Sequence, residues 1–296
     1  MNWDIGVVGY GEVGKIFSRG LQEKSGRSVQ AWDLKFADAP TRAAELQHAT
    51  DHGVTACDSA AALCSQSNLI ISAVTASNTL AVAQEVARSI QAGTLFLDLN
   101  SASPGTKAQC AALIDAAGGH YVEAGVMTSV PPYGIRVPML LGGVKAAELA
   151  AVLTAWGMDA KVVAEKIGVA SAIKMCRSVM IKGLEALVIE SYTTARAYGV
   201  EEHMIPTLYE TFPGIDWQAQ GAYFFSRVAQ HGKRRAEEMR ESANTVLEAG
   251  FTPFMAAAIA EKHDWVAQQS RAGVFAGIAK DARWQDYADR LIASKG

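Results

Sequence analysis

At 296 residues, 50% hydrophobic and 19% charged, the chain has the length of about two domains and apolar content for a large core. A net charge of −3 argues against nucleic acid or an anionic membrane surface as a partner. Charges interrupt every apolar stretch before about 18 residues, so no membrane span is expected.

The N-terminus, MNWDIGVVGYGEVG, carries Asp4 and no basic leader, and reads as a first strand. Ile5 to Val8 is a short apolar run. Gly9-Tyr10-Gly11-Glu12-Val13-Gly14 follows it directly, and a helical pattern runs on through Leu21. This is GxGxxG in the strand, turn and helix context that gives it meaning. Gly9 permits the turn, Gly11 lets the backbone approach a pyrophosphate, and Gly14 lets helix pack on strand. The helix start then offers free N–H groups to phosphates. The plainer alternative is a glycine turn between any strand and helix.

A second strand, Val29 to Trp32, ends at Asp33, 19 residues after Gly14. That is close to the spacing of about 20 for the acid that accepts from a ribose 2′-OH. Asp33 repels a 2′-phosphate, so NAD is favoured over NADP; Lys35 and Arg27 lie near enough to soften the preference. The strands continue as Leu69 to Val74, Thr94 to Asp98, Tyr121 to Ala124, Met139 to Gly143 and Lys161 to Ala164. Helices are expected at Asn78 to Ile90, from Pro104 to Ala117 and at Ala146 to Trp156. Apolar strands separated by helices predict a doubly wound parallel sheet of Rossmann type. Ligands bind such sheets outside the carboxyl ends of the strands, which puts Val74-Thr75 and Asn100-Ser101 at the mouth of the cleft. Ser103-Pro104 reads as an N-cap with proline at N1. Residues 125 to 138, with three prolines and two glycines, read as a loop beside the active site. The dinucleotide-binding domain is expected to span 1–165.

An all-α domain is expected over 166–296, built on a spine helix from Val169 to Tyr198, which has no proline and one glycine. Apolar residues surround this helix almost completely, the mark of a buried helix. Yet Lys174, Arg177, Lys182, Glu185 and Glu190 lie within it, and such charges are rarely buried without partners. At 100° per residue Ser178 sits about 40° from Lys174 and Glu185 about 20°, so the three share a face. Lys174, beside the domain junction, is placed to act as a general acid–base, and Ser178 to bind the same substrate. The alternative is a lysine whose stem packs while its amine reaches water. Helices are further expected at Trp217 to Gln230, Arg234 to Ala249 and Phe254 to Ser270, with a break from Pro206 to Gly214. In the basic patch His231-Gly232-Lys233-Arg234-Arg235, either the charges pair with Glu237, Glu238 and Glu241 along the helix, or one arginine clamps a substrate carboxylate. The cysteines Cys57, Cys64, Cys110 and Cys176 are scattered without a CxxC pair. That pattern fits reduced thiols of a cytoplasmic protein, and neither a disulfide framework nor a metal site.

Over nearly its whole length the chain resembles the β-hydroxyacid dehydrogenases, the family of 3-hydroxyisobutyrate and 6-phosphogluconate dehydrogenases. The GxGxxG segment matches the family's dinucleotide motif. Asp98-Leu99-Asn100-Ser101-Ala102-Ser103-Pro104 is similar to its D-x-S-T-x-S-P segment, and Gly168 to Lys174 to its glycine-rich approach to a catalytic lysine. The resemblance implies that Lys174 gives and takes the proton, that the substrate is a small β-hydroxyacid or related polar alcohol, and that the protein is a homodimer. It also implies that a basic residue near Arg234 or Arg235 approaches the site. Asn100, Ser101, Ser178 and Arg235 are the substrate-binding candidates. Two positions depart from the family: Ser178 stands where asparagine is usual, and Met127 where a substrate-contacting serine is usual. The segments 177–187 and 231–239 are similar to a subgroup whose C-terminal domain has no settled function. Two alternatives remain open, an imine reductase-like enzyme and a non-catalytic nucleotide-sensing dimer.

Overall fold

The computed structural model describes residues 3–294. The chain divides at Met175/Cys176 into two compact units, inside the spine helix and not at its start.

In the first unit, eight strands form one sheet: β1 (Ile5–Val8), β2 (Val29–Trp32), β3 (Val54–Ala56), β4 (Leu69–Ser72), β5 (Leu95–Asp98), β6 (His120–Val126), β7 (Met139–Gly142) and β8 (Ala160–Ala164). Their spatial order is β3-β2-β1-β4-β5-β6-β7-β8. The helices are α1 (Glu12–Ser25), α2 (Ala39–Asp51), α3 (Ala60–Ser65), α4 (Thr79–Ala87), α5 (Pro104–Ala116) and α6 (Ala146–Ala155). Strands β1, β4 and β5 are buried at every residue, as in a sheet covered on both faces. Alternate side chains feed two cores. Ile5, Val7, Leu69, Ile71, Leu95 and Leu97 join one cluster with Phe17 and Leu21. Val8, Ile70 and Phe96 join the other with Leu63, Val86 and Ile114. Each such aliphatic side chain, fully buried, contributes about 1.5–3 kcal/mol.

All neighbouring strands run parallel except β6 and β7, which are antiparallel. The expected doubly wound sheet is thus parallel apart from this one pair. A parallel return needs a long crossover, usually a helix. The segment 127–138 carries Pro131, Pro132 and Pro138 and only a short 3₁₀ turn at Gly134–Arg136, so the chain comes straight back. The strand order reverses between β1 and β4, and there the chain leaves both strands at the same edge.

The long helix α7 (Val169–Tyr198) has the bounds its composition predicts. Beyond Met175 it belongs to the second unit, with α8 (Glu201–Thr211), α9 (Trp217–Glu248), α10 (Phe254–Arg271) and α11 (Trp284–Ala293). Two expectations fail here. Pro206 sits inside α8, where it removes one helical N–H donor, so the break expected from Pro206 to Gly214 begins only at Phe212. The two helices expected around His231-Gly232 are one 32-residue helix. Gly232 is no break: a Cβ there would lie 2.8 Å from the carbonyl oxygen of His263, so the glycine lets α9 and α10 approach closely. Ile189, Tyr192, Phe225, Val228, Trp284 and Leu291 form the unit's main core, with the Tyr192 and Trp284 rings 4.9 Å apart. Among the described residues no helix is long and apolar enough to cross a membrane.

Candidate dinucleotide and active site

The glycine turn follows β1 at the point of strand reversal. Gly9 has φ +93°, a conformation costly for other residues. A Cβ there would lie 2.5 Å from the carbonyl oxygen of Ala73 and 2.7 Å from Val74 Cγ1, so the turn sits directly against the exit of β4. A Cβ on Gly14 would lie 1.8 Å from the Gly9 carbonyl oxygen. Gly11 is different, since its missing Cβ would meet nothing within 4 Å. Gly11 also caps α1 without a side chain to accept from the first turn. The first turn of a helix has unsatisfied N–H groups and a partial positive charge. Open space above Gly11 and a helix start without a side-chain cap together fit a pyrophosphate. Glu12 is exposed and Val13 half-buried on that first turn.

Tyr10 turns its ring inward, 1% exposed, against Phe36. Its hydroxyl hydrogen-bonds His48 Nδ1 at 3.2 Å, and burial, with Glu45 nearby, pushes the phenol above its ordinary range. What Tyr10 brings to the turn is its backbone N–H, which donates to Asp33 Oδ2 at 2.6 Å. Asp33 Oδ1 accepts from Lys35 N at 2.9 Å. Two main-chain donors therefore hold the Asp33 carboxylate at the rim of the turn. Lys15 and Lys35 both face Glu45, at 2.7 and 3.8 Å.

Next to the turn, Asn100 bridges two strand ends. Its Oδ1 accepts from Val74 N at 2.7 Å and its Nδ2 donates to Ser72 Oγ at 2.9 Å. Asn100 is 3% exposed, so the amide expected to touch ligands is engaged by the protein, and what it sets is the position of Val74 and of Ser101. Thr75 is exposed, its hydroxyl accepting from Asn78 Nδ2 at 3.0 Å. Under this layer lies a buried group that the sequence pattern did not reveal. The Asp98 carboxylate accepts from Asn100 N at 2.8 Å and from the Tyr121 hydroxyl at 2.5 Å, and pairs with Lys107 Nζ at 3.1 Å. Burial, then the Asp98 charge, drives the Tyr121 phenol well up.

Lys174, half-buried on the second turn of α7, donates from Nζ to Ser101 Oγ at 2.5 Å. That puts the ammonium at the exit of β5, on the carboxyl edge from which the glycine turn also leaves. Glu123, the other residue that pattern reasoning missed, lies on β6 and accepts from the N–H groups of Gly168, Ala170 and Ser171 at the start of α7. Those partners lie more than 40 residues away in sequence, so no local signal announces them.

The remaining candidates lie in the second unit. Ser178 Oγ accepts from Lys182 Nζ at 3.2 Å, and Lys182 pairs with Glu238 at 2.9 Å. Arg235 has a partner other than the substrate carboxylate expected for it. Its Nε donates to Glu185 Oε2 at 2.7 Å and its Nη2 to Glu185 Oε1, so a buried side chain already fills its fork. Arg234 faces Glu238 along the helix at 3.8 Å. His263, fully buried beside Glu185, is pushed down to about 3 by burial and then by the charges of Arg235 and Lys182. The four cysteines are free thiols, with Cys176 exposed and the other three buried.

Comparison with known proteins agrees with the dinucleotide-binding fold. The family profile described as the NAD binding domain of 6-phosphogluconate dehydrogenase matches residues 4–164. A domain of unknown function (DUF1932) matches residues 195–266. A conserved hypothetical protein from Sinorhizobium meliloti 1021 is 36% identical, with 99% of this chain and 97% of that one covered and a TM-score of 0.77. A second conserved protein of unknown function, whose structure is described as similar to 3-hydroxyacid dehydrogenases, is 29% identical over 90% of this chain and 98% of its own, with a TM-score of 0.68. At 17% identity the fold alone is shared with Mycobacterium tuberculosis 3-hydroxyisobutyrate dehydrogenase, with both chains covered at 100% and a TM-score of 0.72. The same holds for an imine reductase from Aspergillus terreus, at 17% identity over 92% of this chain and 95% of its own, with a TM-score of 0.57.

Proposed function

For this chain, which belongs to the family built on the NAD binding domain of 6-phosphogluconate dehydrogenase, we propose an oxidoreductase that acts on a small β-hydroxyacid or related polar alcohol. Lys174 is its general acid–base. The observation that carries this reading is the 2.5 Å hydrogen bond from Lys174 Nζ to Ser101 Oγ, at the sheet edge where the glycine turn opens. The nicotinamide, when bound, supplies the hydride acceptor or donor. Every other task falls to the chain's own residues. Main-chain N–H groups at Gly11 and the start of α1 hold the pyrophosphate. Asp33 accepts from the ribose hydroxyls, and its negative charge beside the 2′ position favours NAD over NADP. Lys174 as the free amine takes the proton of the substrate hydroxyl, and as the ammonium returns it to the carbonyl oxygen in the reverse direction. Ser101 orients both the amine and a substrate oxygen.

Homodimerisation is part of the proposal. Ile173, Met180 and Leu187 recur every seven residues on α7 and are 41%, 67% and 56% exposed, an apolar stripe suited to a second copy. The test of function is a panel of β-hydroxyacids, with cyclic imines as a second arm, assayed with both nicotinamides by the absorbance of the reduced cofactor. Hydroxyacid turnover that disappears in Lys174→Ala supports the assignment. Turnover of imines only replaces it with the imine reductase reading, and tight dinucleotide binding with no turnover at all replaces it with a nucleotide sensor.

A further inference from the structure

Glu123 sits in the interior of β6, in register with Gly142 of β7, and is fully buried. Its Oε1 accepts from Gly168 N at 2.7 Å and Ala170 N at 3.1 Å, and its Oε2 from Ser171 N at 3.2 Å. The carboxylate thus takes three of the donors that the start of α7 would otherwise leave unsatisfied. It also lies at the positive end of the helix, where an anion is held most strongly. The path of the side chain is cleared by a glycine, since a Cβ on Gly142 would lie 2.6 Å from Glu123 Oε1. Two residues further along β6, and so on the same face of the sheet, Gly125 makes a second close approach. A Cβ there would lie 2.8 Å from the carbonyl oxygen of Ala170 and 3.6 Å from Lys174 Cβ. On the other side Gly168, at φ +102°, rests against Pro104 at the start of α5.

We propose that Glu123 is a positioning residue for Lys174: by holding the first turn of α7 against β6, it sets where the lysine ammonium meets Ser101. Ser171, which Glu123 grips, and Lys174 are three residues apart and adjacent on one helix face. A helix is stiff over one turn, so a shift of the gripped turn moves the lysine with it. The catalytic consequence rests on the reading of Lys174 as the proton carrier, but the mechanical claim does not.

The experiment compares Glu123→Gln and Glu123→Asp with Asp216→Ala. Asp216 Oδ1 caps α9 by accepting from Ala219 N at 3.0 Å, so its loss is a control for losing an exposed helix cap. Glutamine keeps the shape but turns an amide donor toward a backbone donor, and aspartate is one methylene too short to reach. Trace labelling with acetic anhydride, read by mass spectrometry, gives the reactivity of Lys174 relative to the exposed Lys233. The Glu123 variants are expected to change that ratio by about tenfold, the equivalent of one hydrogen bond to a charged group. They are also expected to lower kcat on the order of tenfold or more through misplacement of the amine, while NADH affinity stays nearly unchanged. Asp216→Ala is expected to lower thermal stability and leave both readouts alone. If the Glu123 variants do not fold, Gly142→Ala, which displaces the carboxylate from the opposite side, is read in the same way. An unchanged labelling ratio in a folded variant overturns the proposal. Labelling needs no turnover, so absence of any oxidoreductase activity would remove the catalytic reading and leave this test standing.

Discussion

Lys107 and Asp98 form a wholly enclosed ion pair beneath the candidate site. The ammonium lies 3.1 Å from the carboxylate and 3.1 Å from the Asp98 main-chain carbonyl, and both side chains are 1% exposed. The same carboxylate fixes Asn100 N, and through Asn100 the exits of β4 and β5. Removing one partner leaves the other charge buried and uncompensated. Lys107→Met is therefore expected to lower unfolding free energy by about 3–5 kcal/mol, read as a shift in urea midpoint. A loss within experimental error would mean that Asp98 takes up a proton or finds water at no cost.

Lys174→Ala removes the amine without touching the glycine turn. Turnover is expected to fall by about 10²–10⁴, the range for general acid–base catalysis. NADH affinity, measured by fluorescence titration, should stay nearly constant. Wild-type turnover in this variant would end the assignment of the lysine.

Two glycines of the turn separate folding from binding. Gly11 has room for a methyl group and Gly14 has none, its Cβ falling 1.8 Å from the Gly9 carbonyl oxygen. Gly11→Ala is expected to keep the melting temperature and to weaken NADH binding on the order of tenfold, about 1.4 kcal/mol. Gly14→Ala is expected to lose the fold itself, seen as loss of the melting transition. Equal effects from both would show that the space over Gly11 is not where the dinucleotide lies.

His263 makes stability depend on pH in a defined window. Its imidazole is held down to about 3 in the folded chain, against about 6.5 when unfolded. Below about 6.5 the unfolded chain therefore binds the proton and the folded chain does not. The stability associated with the neutral imidazole is complete above that value and is lost as pH falls toward 3, at up to about 1.4 kcal/mol per pH unit. Urea unfolding at pH 7, 6 and 5 checks this, and His263→Gln should flatten the slope in that interval, where carboxylates contribute little.

Much of the architecture was legible because it is locally encoded. The glycine turn needs only the residues from Ile5 to Leu21, and α7 announces itself by thirty residues without proline. Strand β3 was not legible, since Val54–Ala56 is three residues with one buried, too short for an apolar run. Helix α9 was read as two because glycine inside a helix resembles an end, whereas Gly232 answers to His263 on α10. The site divides in the same way. Lys174 and Ser101 are nominated by position along the chain together with the family resemblance, but the clasp of Glu123 on Ala170 and the pairing of Arg235 with Glu185 join positions about fifty residues apart. Charge content alone does not say which carboxylate an arginine will meet.

The hairpin formed by β6 and β7 has an evolutionary corollary. Because β7 doubles back, residues 127–138 begin and end at the carboxyl edge of β6, the edge at which open α/β sheets bind ligands, and altering them disturbs no crossover. Val130, Ile135 and Val137 tether the segment to the interior, and Ile135 sits over Gly20 of α1. Pro131, Pro132, Tyr133 and Arg136 face outward between those tethers. A lineage can rewrite these four side chains, or splice extra ones among them, while inheriting the scaffold intact.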